Sequence, residues 1–182
     1  MATPLFINRT DLTRNSIIDG NVDTAKFIYF IKISQTIHIQ NFLGTELYQK
    51  FEQLITAGTL TEVDNPNYYN LMVTHIQPML IWYAQVDYIP FAAYQIKNGG
   101  VFKHTSENSE SATKDELDYL VAKAREYAEY YTRRFIDYMN FNQNLFPEYY
   151  SNSNDDIDPS QDALFNGWVL WDINQKRKIL KN

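Results

Sequence analysis

The sequence of 182 residues contains no cysteine. This absence excludes disulfide scaffolds, thiolate zinc sites, iron–sulfur clusters and cysteine nucleophiles, and leaves histidine and carboxylates as the strong metal ligands. Glycine and proline are scarce, at six residues each, while 45% of the residues are apolar and 21% are charged. These proportions are typical of one compact soluble domain, and we do not expect a second full domain.

Basic residues and long apolar runs are also lacking. The chain has 16 Lys and Arg residues against 22 Asp and Glu residues, which gives a net charge of −6. A dedicated nucleic-acid binder normally has the opposite charge. No apolar run approaches the ~20 residues that span a bilayer, and residues 1–4 resemble no targeting segment. We therefore expect a soluble, unexported protein that contacts no membrane.

Four residue types are abundant: 14 Tyr, 17 Asn, 10 Gln and 17 Ile. Tyrosine has a rigid face with a polar tip, and the two amides form adaptable hydrogen bonds, so the mixture suits a surface that contacts other proteins. The codon bias of an A/T-rich genome explains the same surplus equally well. Composition alone leaves both explanations open.

Apolar spacing predicts an all-α fold, a helical bundle of about four main helices. A single helical turn capped by Thr10 or Asp11 precedes the first long helix, which we expect to start near Asp23. Gly44 is expected to end that helix in a left-handed conformation, and Gly58 to close the second. The first helix is apolar on more than one face, which predicts burial between several neighbours or at a subunit interface. The residues responsible are Phe27, Ile28, Phe30, Ile31, Ile33, Ile37, Ile39, Phe42 and Leu43.

The third helix is predicted to begin at Pro66, with Asn65 as its N-cap. It contains Pro78 and Pro90, each of which removes a helical hydrogen bond, so we expect a kink or a break at one or both. The residues that accept positive φ at 98–100 are expected to end this helix.

The fourth helix has the clearest start, because Thr113 and Glu116 are spaced as a capping box. Apolar residues then repeat at intervals of three and four, which predicts an amphipathic helix. That stripe comprises Leu117, Leu120, Val121, Ala124, Ala128, Tyr131, Phe135, Tyr138 and Met139. The charged residues on its outer face are expected to form ordinary surface ion pairs.

Two polar segments lie outside these helices. Residues 101–112 read as an exposed loop or an extended hairpin arm, and residues 140–167 lose the helical pattern. We therefore expect a helical body at residues 1–149 with an arm at 99–112, followed by an extended C-terminal tail at 150–182. This tail contains large apolar side chains again at its two tryptophans, so we expect it to dock on its own domain or on a partner.

No motif for catalysis, a cofactor or a metal emerges from the chain. The three histidines are far apart in sequence and are expected to be structural or exposed. The alternating Asn152, Asn154, Asp156 and Asp158 resemble a calcium loop, but Ile157 and Ala163 occupy positions that need Gly and Glu, so a solvated acidic linker is preferred. P-loop, nucleophile-elbow and metalloprotease motifs are missing. We therefore expect no cofactor and no enzymatic activity.

Five segments resemble the small head–tail connector (adaptor) ring proteins of tailed bacteriophages, in particular versions from crAss-like and other Bacteroidetes phages. The resemblance extends over about residues 5–149. It is carried by residues 42–48, 98–101, 106–109, 128–135 and 146–149.

The resemblance implies a structural virion protein, made in the host bacterial cytoplasm, that assembles as a dodecameric ring beneath the portal protein. Such a ring extends the DNA channel, lets double-stranded DNA pass without specific binding, and docks the adjacent connector or tail ring protein. The candidate partner-binding residues are Trp168, Leu170 and Trp171 in the tail and Phe102 and His104 in the arm.

Two alternatives remain. One is a tail-terminator or stopper ring elsewhere in the virion. The other is a small helical enzyme or ligand-binding protein with a site assembled from scattered residues such as His38, His75 and Tyr83, for which a converging cluster in a closed pocket would be the sign.

Overall fold

The computed structural model describes residues 4–16, 24–92, 94–97, 100–103, 113–151 and 156–162. These residues form an all-α helical bundle with one β-hairpin, which confirms the predicted fold class. The α-helices are α1 (Arg9–Asn15), α2 (Thr24–Ser34), α3 (Gln40–Thr56), α4 (Pro66–Leu71), α5 (Gln77–Ala92), α6 (Lys114–Phe141) and α7 (Pro147–Tyr150). The remaining elements are two π-turns (Gln35–Ile39 and Met72–Ile76), a 3-10 turn (Gln143–Leu145) and strands β1 (Tyr94–Lys97) and β2 (Gly100–Lys103).

The first π-turn joins α2 to α3 without interruption, and the helical path then breaks at Gly44. Gly44 has φ 72° and ψ 164°, a combination that only glycine adopts readily. Gly58 also has a positive φ, 69°, just after α3. The two predicted glycine positions, at the break and after α3, are therefore confirmed.

The predicted cap of α1 at Thr10 or Asp11 is wrong. Asn8 caps α1, because its side chain accepts the N–H groups of Thr10 and Asp11 and the Asp11 carboxylate accepts the N–H of Asn8. This reciprocal box satisfies N–H groups at the start of the helix.

The predicted start of α4 is confirmed, with Asn65 at the N-cap position and Pro66 as the first helical residue. The Asn65 side chain, however, makes no capping bond among the described residues. It donates instead to the carbonyl of Thr59, which holds the preceding loop closed.

The third predicted helix is irregular next to Pro78. The second π-turn ends two residues before it, with the N–H of Gln77 donating to the carbonyl of Met72, five residues back. Pro78 has no N–H group to donate to the carbonyl four residues back in a regular helix. The wider π-turn lies where the proline ring would otherwise clash with the preceding carbonyls. Pro90 is accommodated, and α5 continues to Ala92.

The predicted end of that helix at residues 98–100 is wrong, because α5 stops at Ala92 and β1 follows. β1 and β2 pair antiparallel, with Tyr94 opposite Lys103 and Lys97 opposite Gly100. The expected arm is therefore a hairpin whose first strand precedes residue 99. Residues 104–112 of the arm lie outside the described residues.

The capping box at the start of α6 is confirmed. The N–H of Thr113 donates to the Glu116 carboxylate over 2.7 Å, and the Thr113 hydroxyl accepts the N–H of Glu116. The predicted stripe is buried at Ala124, Ala128, Phe135 and Met139, whereas Leu120 is exposed.

The central helix of the bundle is α5, which packs against both α2 and α6. The largest fully buried side chains include Phe42, Phe51, Tyr83, Phe135 and Phe146, so every long helix contributes an aromatic ring to the core. Burial of such rings is the main source of stability in a bundle of this kind. In the described residues, no helix has the length and apolar character needed to cross a membrane.

Residues 156–162, here called the strap, lie on the helix break at Gly44. The N–H of Thr45 donates to the carbonyl of Ile157, and the N–H of Ser160 donates to the carbonyl of Asn41. These bonds satisfy backbone groups that the break leaves without helical partners. The first part of the expected tail thus docks on the chain's own helices, and residues 163–182 lie outside the described residues.

Candidate functional site

Four of the five candidate partner-binding residues lie outside the described residues, namely His104, Trp168, Leu170 and Trp171. The fifth, Phe102, lies in β2 opposite Gln95 of β1. These residues therefore stay predictions, and the described part of the chain carries other contact surfaces.

One such surface runs along α6. It consists of Tyr119, Tyr127, Tyr130 and Phe141, which are between 47% and 89% exposed. At about 100° per residue these four positions share one side of the helix, opposite the buried stripe. They extend over about 33 Å of helix axis. We call this set the α6 surface.

The charged neighbours of the α6 surface are held by local contacts. Lys123 and Glu126 form an ion pair of 2.7 Å, and the Arg134 guanidinium lies 6.0 Å from the centre of the Tyr130 ring. Arginine over a tyrosine face adds a cation–π attraction and keeps the ring oriented. The predicted salt-bridged character of Glu126 is confirmed by its bond to Lys123.

A second apolar surface lies on α2 and the end of α5. It consists of Ile28, Tyr29, Ile37 and Phe91, which are between 41% and 62% exposed. The ring of Phe30 connects the α2 part of this surface with the α5 part. Its centroid lies 5.8 Å from that of Tyr29 and 5.3 Å from that of Phe91. We call this set the α2 surface. Ile28 and Ile37, two apolar residues of the predicted first helix, are therefore exposed on the bundle, and the predicted burial at a subunit interface stays a prediction.

The two surfaces lie on different sides of the bundle, because α5 separates their helices. Trp82, Val86 and Ile89 of α5 face α6. The ring of Trp82 lies 4.6 Å from that of Tyr127 in a tilted arrangement, and the other two residues pack with Ala124. Asp87, Tyr88 and Phe91 face α2 through contacts with Ser34, Phe27 and Phe30. At ~100° per residue these two sets of α5 residues are roughly opposite each other.

Sequence reasoning missed the α6 surface because it assigned the outer face of the fourth helix to charges. The missed signal is the spacing of Tyr119, Tyr127 and Tyr130, which are eight and three residues apart and so fall on one helical face. A surface tyrosine is unremarkable alone, whereas three on one face of an exposed helix indicate a contact surface.

A buried polar cluster lies inside the bundle where α2, α5 and α6 meet. The hydroxyl of Ser34 donates to the Asp87 carboxylate, and Nε2 of His38 lies 3.2 Å from the same carboxylate. The His38 ring stacks on Tyr83 at 4.2 Å. The Tyr83 hydroxyl is 3.3 Å from Thr132, whose own hydroxyl donates to a backbone carbonyl, so the tyrosine is the donor of that pair.

This cluster brings together His38 and Tyr83, two of the three residues considered for a ligand-binding site. Its order is hydroxyl, carboxylate, imidazole, with Asp87 between Ser34 and His38. A nucleophilic site needs the imidazole next to the hydroxyl so that it can take its proton. In the observed order the imidazole is not next to the hydroxyl. The hydrogen bonds of the cluster instead connect α2, α5 and α6, and such buried bonds stabilise this packing of the three helices over others.

His75, the third of those residues, lies apart from the cluster and stacks on Tyr138 at 4.3 Å. Its Nδ1 atom is buried and has no hydrogen-bond partner among the described residues. Burial, together with the nearby positive charge of Arg134, lowers the pKa of His75 below its usual value. The side chain is therefore held as a neutral ring.

No metal site forms among the described residues, since no three His, Asp or Glu side chains lie together there. Asp156 of the calcium-loop pattern is instead bonded to the hydroxyl of Thr45. Asn152, Asn154 and Ala163 of that pattern lie outside the described residues.

Residues 39–158 match the model of a family described as "Family of unknown function (DUF6712)". This match begins in the first π-turn and ends within the strap, so it contains the helix break and part of the segment that docks on it. Comparison with curated proteins and with solved structures found no match to the chain.

Proposed function

The chain belongs to DUF6712, a family of unknown function, and we propose a function from the resemblance given above together with the geometry of the chain. The proposal is a structural virion protein that forms a head–tail connector ring beneath the portal of a tailed bacteriophage. The ring extends the DNA channel and docks the next tail or ring component. This extends the resemblance described above, which rests on five short segments.

The observation that carries this proposal is the distribution of exposed apolar residues. They concentrate in the α6 surface and the α2 surface, which lie on different sides of α5. The polar residues considered for a ligand site are bonded or stacked inside the bundle. Contiguous exposed apolar patches mark protein interaction sites. A subunit that must contact two neighbours at once needs two such patches.

The charge of the chain supports the same assignment. With a net charge of −6, the protein repels the phosphate backbone of DNA instead of attracting it. The wall of a channel through which DNA slides works best without attractive contacts. The ring thereby guides DNA without binding it specifically.

The arm and the tail supply the contacts to other rings in this proposal. Phe102 and His104 lie in or next to the arm hairpin, and the tryptophans of the tail follow the strap. The strap, which directly precedes residues 163–182 in the sequence, is bonded to the helix break. Trp168, Leu170 and Trp171 are then the anchors for the portal protein or for the adjacent connector.

The proposal is tested by mixing the full chain with the portal protein encoded in the same genome. Native mass spectrometry and negative-stain electron microscopy of the mixture should show a closed ring of this chain on the portal. A ring that ignores the portal but joins tail proteins would assign it to a tail-terminator or stopper position instead. A strictly monomeric chain that joins neither would contradict the proposal.

A further inference from the structure

We infer that the α6 surface of one copy packs against the α2 surface of the next copy, so that the chains assemble head to tail. This inference rests on the proposed function, because it specifies the contact that would build the ring. The partner at both surfaces is a second copy of this chain.

The two surfaces are unlike each other, which determines the symmetry of the contact. The α6 surface has three tyrosines and one phenylalanine along one face of a single helix, with the charged side chains of Lys123 and Arg134 between them. The α2 surface combines two isoleucines with two aromatic residues from two helices. A two-fold contact needs one patch that complements itself, whereas two different patches on one chain fit a heterologous contact.

Their chemistry is complementary. Tyr119, Tyr127 and Tyr130 present large faces with polar tips, and such residues dominate the energy of protein interfaces. Ile28 and Ile37 on the opposite surface offer aliphatic area against which those faces can pack. The tyrosine hydroxyls then lie at the edge of the contact, where water can satisfy them.

The sizes of the surfaces also agree. An aromatic side chain buries about 200 Å², so the exposed fractions of the four large residues correspond to about 500 Å² on the α6 surface and about 400 Å² on the α2 surface. A stable interface buries about 800 Å² per partner, including its polar rim. The two surfaces therefore supply about half of such an interface as apolar area, which is the usual share.

The position of α5 makes the contact propagate. A copy that docks on the α6 surface leaves the α2 surface of the same chain open, because the helices that carry the two surfaces contact different sides of α5. The next copy can dock there in the same way. Repetition of one heterologous contact produces a ring when the rotation closes.

Two charge substitutions test the two surfaces one at a time. Tyr130→Glu places a negative charge within the α6 surface, and Tyr29→Glu does the same within the α2 surface. Both side chains are more than half exposed, so neither substitution disturbs the core. Val63→Glu is the matched control, since Val63 is 89% exposed in the loop before α4, outside both surfaces.

Each surface variant alone should sediment as a monomer in analytical ultracentrifugation at a concentration where the native chain and the Val63 variant form rings. An equimolar mixture of the two surface variants should form a one-to-one dimer and nothing larger, because only one intact contact remains. Circular dichroism of each variant checks that the fold is retained.

Two outcomes would overturn the inference. If either surface variant still forms rings, its surface is not part of the contact. If the mixture stays monomeric while the native chain forms rings on the portal, the pairing of the two surfaces is wrong and the proposed function stands. A native chain that never assembles, alone or with the portal, overturns both.

Discussion

Gly44 lies directly against Pro159. A Cβ atom added to Gly44 would come within 2.7 Å of two carbons of the Pro159 ring, closer than real Cβ contacts allow. Gly44 also has the positive φ that breaks the helix. Gly44 therefore interrupts the helix and, because it has no side chain, leaves the space in which the strap lies.

Gly44→Ala should destabilise the protein through both effects. The backbone conformation costs about 1 to 3 kcal/mol for a residue with a Cβ, and the contact with Pro159 adds to this because the strap must move away. Gly58→Ala is the matched control, since Gly58 has φ 69° but nothing within 4 Å of its Cβ position. Urea denaturation should show a larger loss for the Gly44 variant.

The effect of the contact between Gly44 and Pro159 can be measured separately from the cost of the positive φ. The double variant with Gly44→Ala and Pro159→Ala should recover part of the lost stability, because the smaller side chain makes room for the Cβ atom. Equal losses for Gly44→Ala and Gly58→Ala, with no recovery in the double variant, would mean that the strap does not rest on the break.

Thr45→Val should loosen the strap without breaking the helix. The Thr45 hydroxyl donates to the Asp156 carboxylate over 2.8 Å and accepts the N–H of Ile157. Loss of both bonds should cost about 1 to 2 kcal/mol. Hydrogen exchange at residues 156–162 should accelerate, while exchange in α6 stays unchanged.

Thr61→Val is the chemical control for that experiment. Thr61 makes the same two kinds of bond, a donation to the Asp64 carboxylate and acceptance of an N–H, within one exposed loop. Its replacement should affect only exchange around residues 59–65. Faster exchange in the strap of this variant, or none in the strap of Thr45→Val, would contradict the assignment.

The parts of the fold that were predicted correctly depend on neighbours in sequence. Thr113 and Glu116 are three residues apart and satisfy each other's backbone groups, so their spacing alone identifies the start of α6. Gly44 was predictable for a similar reason, since a glycine between two apolar helical patterns indicates a break.

The parts that were missed depend on contacts between distant segments. Nothing near Thr45 indicates that its bonding partners come from the strap, more than a hundred residues later. Local sequence also has no signal for the π-turn that carries His38, or for the packing of His38 on Tyr83 of another helix. The α2 surface likewise needed the position of Phe91 beside Phe30.

Removal of residues 163–182 should separate partner binding from folding. The strap stays in this variant, so its thermal midpoint should remain within a few degrees of that of the full chain. Binding to portal particles should be lost, because Trp168, Leu170 and Trp171 are absent. Co-sedimentation with portal particles measures the binding.

Removal of residues 152–182 is the comparison for that variant, because it takes the strap as well. Its thermal midpoint should fall, since the backbone groups of Asn41 and Thr45 lose their partners. Unchanged binding to the portal after removal of 163–182 would show that the tail tryptophans are not the anchors.

His75 should make the stability depend on pH in one direction. The pKa of His75 in the folded protein lies below its usual value of 6.5 because the ring is buried and Arg134 is near. Below about pH 6.5 the unfolded chain therefore binds more protons than the folded protein. The contribution of His75 to the free energy of unfolding is complete above that pH and decreases as the pH falls. Urea denaturation from pH 8 to pH 5 measures this decrease.

His75→Phe should flatten that pH dependence. Phenylalanine keeps a ring against Tyr138 and cannot take up a proton. It also removes the buried Nδ1 atom, to which no described residue bonds. At pH 8 the variant should be at least as stable as the native chain, and between pH 7 and pH 5 it should lose less stability. Parallel decreases in the two proteins would mean that another group binds the proton, and an NMR titration of the His75 ring in the native chain would then show an unshifted pKa.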